Sequence, residues 1–249
     1  MLSIESLAFV VVVFTVAGWV KGVTGMGLPT VAMGALGLIM APVQAAALLL
    51  IPSLLTNIWQ FLAGPARGAI IRRLLTMMIC VCIGTAFGIG LLTSGSSRWP
   101  SVALGGVLAA YALLALFLPR LAVPARFERR LSPVMGAITG VVTGATGVFV
   151  VPAVPYLSAL GFSKDELVQA LGLSFTVSTV ALGVALTTAG SFHPSALLTS
   201  VGAVVPALVG MYVGQRTRDR ISPARFRLWF FSAMLVVGMY MLVRGMLGR

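Results

Sequence analysis

The sequence predicts an all-α membrane protein that crosses the bilayer many times and is built from two related halves. Of its 249 residues, 59% are hydrophobic and only 9% are charged, whereas a soluble domain is about 25% charged. The apolar residues form runs long enough to cross a bilayer, and a glycine-rich motif occurs once in each half. These observations predict two repeats of inverted topology, each with a helix broken by glycine and proline.

Ten apolar segments are the predicted helices. A helix needs about 20 apolar residues to span a bilayer, and several segments meet that length. Segments 28–41 and 148–161 are shorter, and each follows a glycine cluster. Such lengths suit re-entrant half-helices as well as short tilted spans. The ten segments are 6–22, 28–41, 43–63, 74–93, 101–118, 132–146, 148–161, 165–189, 195–214 and 226–247.

Two polar, basic linkers that contain proline, 119–131 and 215–225, interrupt the apolar sequence. The first linker is the natural boundary between the halves. The predicted organisation is therefore a first inverted repeat over 1–120, a cytoplasmic linker over 121–130 and a second inverted repeat over 131–249.

Most of the 17 basic residues fall in three short segments that border apolar runs. Lysine and arginine concentrate in cytoplasmic loops, so these segments are predicted to be cytoplasmic and both chain termini to lie outside. The first half then starts outside and the second starts inside, as an inverted repeat requires. Topology explains the net charge of +12, and nucleic acid is not an expected partner. The segments contain Arg67, Arg72 and Arg73; Arg120, Arg126, Arg129 and Arg130; and Arg216, Arg218, Arg220, Arg225 and Arg227.

The glycine motif appears in two copies, each inside apolar sequence and each closed by a proline. The first reads Gly18-Trp-Val-Lys21-Gly22-Val-Thr24-Gly25-Met-Gly27-Leu-Pro29, and the second reads Gly136-Ala-Ile-Thr139-Gly140-Val-Val-Thr143-Gly144-Ala-Thr146-Gly147, with Pro152 soon after. The alignment pairs Gly18 with Gly136, Gly22 with Gly140, Thr24-Gly25 with Thr143-Gly144, and Pro29 with Pro152. Broken helices at corresponding places in two halves indicate the binding site of a transporter.

Two models of the breaks remain open. Each glycine cluster either joins two full spans, which gives ten spans, or forms the tip of a hairpin that enters and leaves the membrane on one side. The second model gives six full spans and two re-entrant hairpins, one from each face. Under that model the two glycine tips meet near the midplane of the membrane.

The motifs supply groups suited to a small anion. Helices that begin after a break, near Leu28 and Val148, present unpaired N–H groups and a partial positive charge. Glycine lets an oxyanion approach the backbone closely, and threonine adds a hydroxyl donor. The predicted substrate-binding residues of the two motifs are Lys21, Gly22, Thr24, Gly25, Gly27, Thr143, Gly144, Thr146 and Gly147.

Lys21 is the only ionisable residue well inside the first broken region. A charge inside the membrane is costly and indicates function by default. The alternative is that the preceding segment spans fully and that Lys21 extends to the headgroups as an ordinary juxtamembrane lysine.

Two groups of polar residues also lie inside apolar helices, Thr56-Asn57-Ile-Trp59-Gln60 and Ser174-Phe-Thr176-Val-Ser178-Thr179. Serine and threonine in membrane helices usually bond their own backbone or a neighbouring helix. Asn57 is the strongest candidate because its amide is harder to satisfy internally than a hydroxyl. Asn57, Thr176 and Ser178 complete the predicted substrate site.

The five acidic residues all fall near predicted helix ends or in loops, so no carboxylate is placed to relay a proton at mid-membrane. An inside-negative potential drives each negative charge outward with about 2.3 kcal/mol per 100 mV, so an anion exporter needs only selectivity and gating. No catalytic triad, metal-ligand set or pair of carboxylates is present in the sequence. Neither an enzyme activity nor a metal or cofactor is therefore expected.

The twin motifs resemble those of the TauE/SafE sulfite exporter family. The second copy, Gly144-Ala-Thr-Gly147-Val-Phe-Val-Val-Pro152, is the closer match, and the first copy is shorter than the family's fuller glycine run. The serine- and threonine-bearing stretch at 174–179 also fits, and the resemblance covers nearly the whole chain. It implies a permease of the bacterial inner membrane for sulfite, organosulfonates and related small anions.

The function predicted from these features is inner-membrane transport of sulfite or an organosulfonate, in the outward direction. The alternatives are an importer, a carrier of a non-sulfur organic anion such as a carboxylate, and a membrane scaffold without transport. A polar cavity beside Gly25 and Gly147 would favour a transporter, and a packed apolar interior there would favour a scaffold. The expected partners are a small anion and the lipid bilayer. The oligomeric state is left open, with a homodimer among the alternatives.

Overall fold

The structure, a computed structural model, describes residues 4–95, 98–117, 122–191 and 194–247. Within these ranges all regular elements are helical, which confirms the all-α prediction. Arg120 of the second basic segment lies outside the described residues. The helices are α1 (Ile4–Thr24), α2 (Leu28–Leu36), α3 (Pro42–Leu62), α4 (Arg67–Leu92), α5 (Trp99–Phe117), α6 (Ala125–Thr146), α7 (Ala153–Ala159), α8 (Lys164–Thr188), α9 (Pro194–Gly202), α10 (Val204–Thr217) and α11 (Pro223–Met246).

The lengths of the helices decide between the two models of the glycine breaks. The nine residues of α2 rise about 14 Å and the seven of α7 about 11 Å, well short of a hydrocarbon core about 30 Å thick. The model with ten full spans is therefore wrong. The helices before the breaks, α1 and α6, have 21 and 22 residues, which is full length rather than half of a hairpin. Each motif thus joins one long helix to one short helix.

Seven helices in the described ranges are long and apolar enough to cross a membrane: α1, α3, α4, α5, α8, the α9–α10 pair and α11. The helix α6 has comparable length, but its first two turns are charged. The segment predicted at 195–214 is divided at Ala203 into α9 and α10. The segment predicted at 148–161 forms a helix only from Ala153, because residues 148–152 are not helical.

The long helices pack across the two halves through glycine. A Cβ atom built on Gly18 would lie 2.1 Å from the carbonyl oxygen of Ala207, and one on Gly22 would lie 2.2 Å from that of Met211. No side chain fits at such distances, so the backbones of α1 and α10 are in direct contact. Sequence numbers rise together along the two helices, which are therefore parallel.

The helices α4 and α6 repeat this arrangement. A Cβ atom on Gly140 would lie 2.2 Å from the carbonyl oxygen of Val81, and one on Gly144 would lie 2.3 Å from that of Thr85. These two helices are also parallel. The first helix of each half therefore crosses the fourth helical segment of the other half, which is the reciprocal packing that a duplication produces. The inverted relation of the halves stays a prediction.

The remaining long helices form two antiparallel pairs, α3 with α8 and α5 with α11. In the first pair Gly172 faces Phe61 while Gly183 faces Leu50, so the numbers run in opposite directions. Both of these pairs also join a helix of the first half to a helix of the second half.

The described residues of the three arginine-rich segments all lie at one end of the bundle. Gln60 near the end of α3 bonds the carbonyl of Gly25 just after α1, so both helices end at the same side. The helix α10 is parallel to α1, so it also ends at that side. A short loop after α3 places the start of α4 there, and α6, which is parallel to α4, begins there as well. Arg73 of α4 and Glu128 of α6 form a salt bridge of 2.6 Å across this end. We refer to it as the arginine-rich end. The helix α1 begins and α11 ends at the opposite end.

A serine repairs the helix break made by a proline inside α3. Pro52 has no N–H, so it cannot donate to the carbonyl of Leu48 one turn earlier. The hydroxyl of Ser200 on α9 donates to that carbonyl at 2.8 Å and accepts from the N–H of Ile51 at 3.2 Å. These two hydrogen bonds tie α9 to the middle of α3 and give the carbonyl of Leu48 and the N–H of Ile51 partners in a medium without water.

Candidate functional site

The two glycine breaks are built in the same way. The hydroxyl of Thr24 donates to the carbonyl of Val20 at 2.9 Å and accepts from the N–H of Met26 at 3.2 Å. The hydroxyl of Thr146 makes the equivalent pair of bonds, to Val142 at 2.7 Å and from Val148 at 3.2 Å. Each threonine therefore caps the end of its helix, because its hydroxyl supplies an acceptor for the N–H two residues later, which has no helical acceptor.

The glycine that follows each threonine turns the chain out of the helix. Gly25 has φ +80° and Gly147 has φ +73°, a region that side chains rarely adopt. Gly147 is thus the structural counterpart of Gly25, and the alignment of Gly25 with Gly144 is wrong by about one helical turn. Gly144 lies inside α6, where its missing side chain lets the backbone of α4 approach.

Lys21 is buried inside the bundle. Its side chain is 3% exposed, and its Nζ donates to Oδ1 of Asn57, which is fully buried on α3. The alternative that Lys21 extends to the lipid headgroups is therefore wrong. The predicted Lys21 and Asn57 are brought into direct contact.

A chain of hydrogen bonds continues from Asn57 across two helices. Its Nδ2 donates to Oγ of Ser53 at 3.0 Å, and Ser53 lies 3.3 Å from Oγ1 of Thr179 on α8. Because the hydroxyl proton of Thr179 is directed at the carbonyl of Phe175, Ser53 must be the donor in the bond to Thr179. The amide of Asn57 is therefore held with its oxygen towards Lys21.

The ammonium group of Lys21 has no carboxylate partner among the described residues. In those ranges the one salt bridge is the Arg73–Glu128 pair, at the arginine-rich end. An amide oxygen carries only a partial charge, so it compensates a buried cation incompletely. The surroundings of Lys21 therefore favour an anion as its further partner.

The two breaks do not meet. Gly25 lies against Gln60 and Val168, whereas Gly147 lies against Met33 and Ala46. Ala46 and Gln60 are fourteen residues apart on α3, a rise of about 21 Å. The expectation that both tips share the membrane midplane is thus wrong. The polar surroundings belong to the Gly25 break, and the neighbours of Gly147 are apolar.

The short helices differ at their starts. The helix α2 begins at Leu28 as predicted, directly after Gly27 with φ +101°. Its first turn leaves backbone N–H groups without intrahelical acceptors, directly after the Gly25 break. The helix predicted near Val148 begins instead at Ala153, after a non-helical stretch that contains Pro152. Only the first break therefore presents a helix N-terminus directly.

Comparison with known proteins identifies the family. The family model described as "Sulfite exporter TauE/SafE" matches residues 10–241. The chain belongs to the TauE/SafE sulfite exporter family. This TauE/SafE protein is accordingly a multi-pass membrane transporter. No curated protein and no solved structure matches the chain significantly.

The other predicted site residues of this TauE/SafE protein have structural roles in the described state. The space beside Gly22 is filled by the backbone of α10, as the space beside Gly144 is filled by α4. Thr143 and Thr176 donate to carbonyls one turn earlier, at 2.7 Å each. The role of these four residues as substrate ligands stays a prediction, because their side chains or backbone contacts are already used within the protein.

Four buried hydroxyls have no hydrogen-bond partner in the described ranges: those of Thr30, Thr139, Ser174 and Ser178. Buried polar groups are nearly always paired, so an unpaired hydroxyl indicates a bound water or ligand. Ser178 was predicted as a site residue. It precedes Thr179 of the hydrogen-bond chain, and Ser174 lies one turn earlier on α8.

Ser53 and Thr179 are functional candidates that sequence reasoning did not select. Ser53 lies one helical turn before Asn57, so the same face of α3 could have indicated it. Thr179 belongs to the polar group at 174–179, but spacing alone does not show which of its hydroxyls faces α3.

An aromatic cluster covers the Gly25 break of the TauE/SafE protein from the side of α5 and α11. The ring of Phe230 lies 3.6 Å from the Cβ position of Gly27 and 4.9 Å, between centroids, from Phe231. Phe231 packs edge-on against Tyr111 of α5 at 5.1 Å, and the hydroxyl of Tyr111 lies 3.8 Å from the sulfur of Met26. The cluster therefore places apolar rings beside the break, and apolar surroundings of this kind strengthen electrostatic attraction.

Proposed function

We propose that this protein exports a small sulfur oxyanion, sulfite or a short organosulfonate, and that Lys21 is the positive group that binds it. The observation that carries the proposal is the buried Lys21, which has an amide partner but no carboxylate partner among the described residues. A buried cation of this kind gains free energy from an anion and loses it to a second cation, so the site selects by charge.

The residues around Lys21 have separate tasks in binding. The ammonium supplies charge-assisted hydrogen bonds, worth roughly 1.5–3 kcal/mol each. Asn57 holds the ammonium between transport events, because its own amide is fixed by Ser53. The first turn of α2 adds N–H donors and a partial positive charge for the remaining oxygens of the anion.

Outward movement follows from charge and the membrane potential. An inside-negative potential favours exit of each negative charge by about 2.3 kcal/mol per 100 mV. The acidic side chains that the structure describes are Glu128, Asp165, Glu166 and Asp219, all near the arginine-rich end rather than beside Lys21. None of these described carboxylates is therefore placed to relay a proton at Lys21.

We propose further that the arginine-rich end is cytoplasmic, as the positive-inside rule predicts. A cysteine introduced as Arg218→Cys, with Cys80 and Cys82 replaced by alanine, is expected to resist a membrane-impermeant maleimide added to intact cells. It should react after the cells are permeabilised. Efficient labelling in intact cells would place this end outside.

Flux from proteoliposomes tests the proposed substrate. Purified protein is reconstituted into vesicles loaded with sulfite, 3-sulfopropionate or succinate, and efflux is followed under an inside-negative potassium diffusion potential. The last two anions are a matched pair in which a carboxylate replaces the sulfonate. We expect sulfite and 3-sulfopropionate to leave faster than from protein-free vesicles, and succinate to leave at the protein-free rate.

Each alternative has its own outcome in this assay. Faster efflux of succinate alone would indicate a carboxylate carrier. Uptake that is faster than efflux under the reversed gradient and potential would indicate an importer. Folded, monodisperse protein that accelerates none of the three anions would contradict a transport function for them and favour a scaffold.

A further inference from the structure

The first turn of α2 carries a buried hydroxyl without a hydrogen-bond partner in the described ranges. Thr30 is fully buried, and its Oγ1 has no partner among the residues that the structure describes. The Cα–Cβ bonds of a helix tilt towards its N-terminus, so this hydroxyl lies on the side of the Gly25 break. A buried donor without an acceptor costs free energy unless a ligand or a water pairs with it. Thr30 therefore indicates a binding position at the start of α2.

The backbone at the start of α2 offers further donors. The first backbone hydrogen bond of the helix runs from the N–H of Val31 to the carbonyl of Gly27, at 3.0 Å. The N–H groups of Leu28 and Thr30 precede this bond, and Pro29 between them has no N–H. The start of a helix also carries a partial positive charge, so these groups together suit negatively charged oxygens.

The helix α5 brings a second buried hydroxyl to the start of α2. A Cβ atom built on Gly34 would lie 3.4 Å from Cδ1 of Leu108. One built on Gly37 would lie 3.0 Å from Cδ2 of Leu104. The residue numbers run in opposite directions, so α2 and α5 are antiparallel. The next turn of α5, which holds Tyr111, therefore lies beside the first turn of α2.

The hydroxyl of Tyr111 has only a weak acceptor. Its side chain is 3% exposed, and its oxygen lies 3.8 Å from the sulfur of Met26, which belongs to the Gly25 break. A thioether is a weak acceptor and a flexible side chain, so an oxyanion would replace it readily. The ring of Tyr111 packs edge-on against Phe231, at 5.1 Å between centroids, which keeps the hydroxyl directed at the break.

We propose that Thr30 and Tyr111 donate their hydroxyl hydrogens to the transported anion, at an oxyanion subsite formed by the start of α2. The ligand is a sulfite or sulfonate group. Its three oxygens point in different directions from the sulfur, so one group accepts from α5, from Thr30 and from the N–H groups of α2. The identity of this ligand with the transported anion rests on the proposed function, whereas sulfite binding by the two hydroxyls does not.

Sulfite binding by variants that each lack one hydroxyl tests the subsite. The protein in phosphatidylcholine nanodiscs is titrated with sulfite, and the wild type is compared with Thr30→Val and Tyr111→Phe. Both changes keep the shape of the side chain and remove one donor. We expect each to weaken sulfite binding about tenfold or more, because a hydrogen bond to a charged group is lost. The melting temperature without sulfite should be unchanged or higher, because a poorly paired buried hydroxyl is removed.

Three further variants serve as controls. Thr30→Ser keeps the hydroxyl and should retain the sulfite affinity within about threefold. Thr139→Val removes a hydroxyl of α6 that is also buried and unpaired in the described ranges, but that lies outside the Gly25 break. Tyr212→Phe removes the hydroxyl of an exposed tyrosine on α10. The last two changes should leave sulfite affinity unchanged.

Failure of this subsite and failure of the proposed function give different results. If Thr30→Val and Tyr111→Phe bind sulfite as the wild type does, the hydroxyls hold only water and the subsite does not exist, whatever Lys21 does. If the wild type binds sulfite through these hydroxyls but does not transport it, the proposed function fails and the subsite stands. A wild type that binds no sulfite would contradict both.

Discussion

Replacement of Lys21 by methionine is expected to abolish anion transport while leaving the protein as stable as the wild type, or more stable. Methionine keeps the length and apolar stem of the side chain but removes a buried charge that the described residues neutralise only with an amide. Removing an uncompensated charge from a low-dielectric interior lowers the cost of folding. The same change removes a charge-assisted contact to the anion, worth roughly 10- to 150-fold in affinity.

The melting temperature with and without sulfite and the rate of anion transport separate the effect on stability from the effect on binding. Sulfite should raise the melting temperature of the wild type by mass action and should raise that of Lys21→Met much less. Lys164→Met is the matched control, since it removes the other lysine of the chain from an exposed position at the start of α8. A Lys21→Met protein that is destabilised, or that transports at the rate of Lys164→Met, would contradict the assigned role.

Substitution of Gly88 by alanine is expected to be among the most damaging single-methyl changes in the protein. The added Cβ atom would lie 2.3 Å from the carbonyl oxygen of Val141 and 3.0 Å from the nitrogen of Ala145. Neither backbone can yield without opening the α4–α6 crossing, so we expect a loss of about 1–3 kcal/mol or more. Because α6 leads into the Gly147 break, anion flux should fall as well.

Gly90 in the same helix provides the control for Gly88. A Cβ atom on Gly90 meets nothing within 4 Å, so Gly90→Ala should be neutral or stabilise α4 by up to about 1 kcal/mol. The melting temperatures of the two variants in detergent, monitored by size-exclusion chromatography after heating, rank their stabilities. Equal melting temperatures would show that the α4–α6 crossing tolerates a wider separation than the structure indicates.

The fold was largely predictable because membrane helices are encoded by apolar runs of limited length. Eight of the ten predicted segments correspond to long helical stretches, and the two polar linkers mark the ends of four of these stretches. The errors fall where composition stays apolar while the backbone leaves the helix, as in residues 148–152 before α7. Hydropathy does not distinguish a buried irregular segment from a helix, since both are apolar.

The polar groups of the candidate site were predictable, but their geometry was not. Lys21 and Asn57 were identified because a charge and an amide inside a membrane need partners. The second motif was misaligned because glycines recur every fourth residue along α6, so two registers fit the letters equally well. Only the left-handed backbone at Gly147, which sequence does not display, shows where the break occurs. Gly22 and Gly144 were selected for the ligand, but their missing side chains accommodate neighbouring helices.

The pairing of helices from different halves, α1 with α10 and α4 with α6, also sets the order in which the protein can assemble during synthesis. The helix α4 meets α6 soon after α6 emerges from the ribosome, since only α5 and a linker separate them. The helix α1 is synthesised before the other described helices, yet its partner α10 follows only after eight intervening helices. Until α10 arrives, the glycine face of α1 has no helix against it. Of the described helices, the one that carries Lys21 is thus the earliest to be made and one of the last to gain its partner, so the proposed transport site is completed only after α10 has entered the membrane.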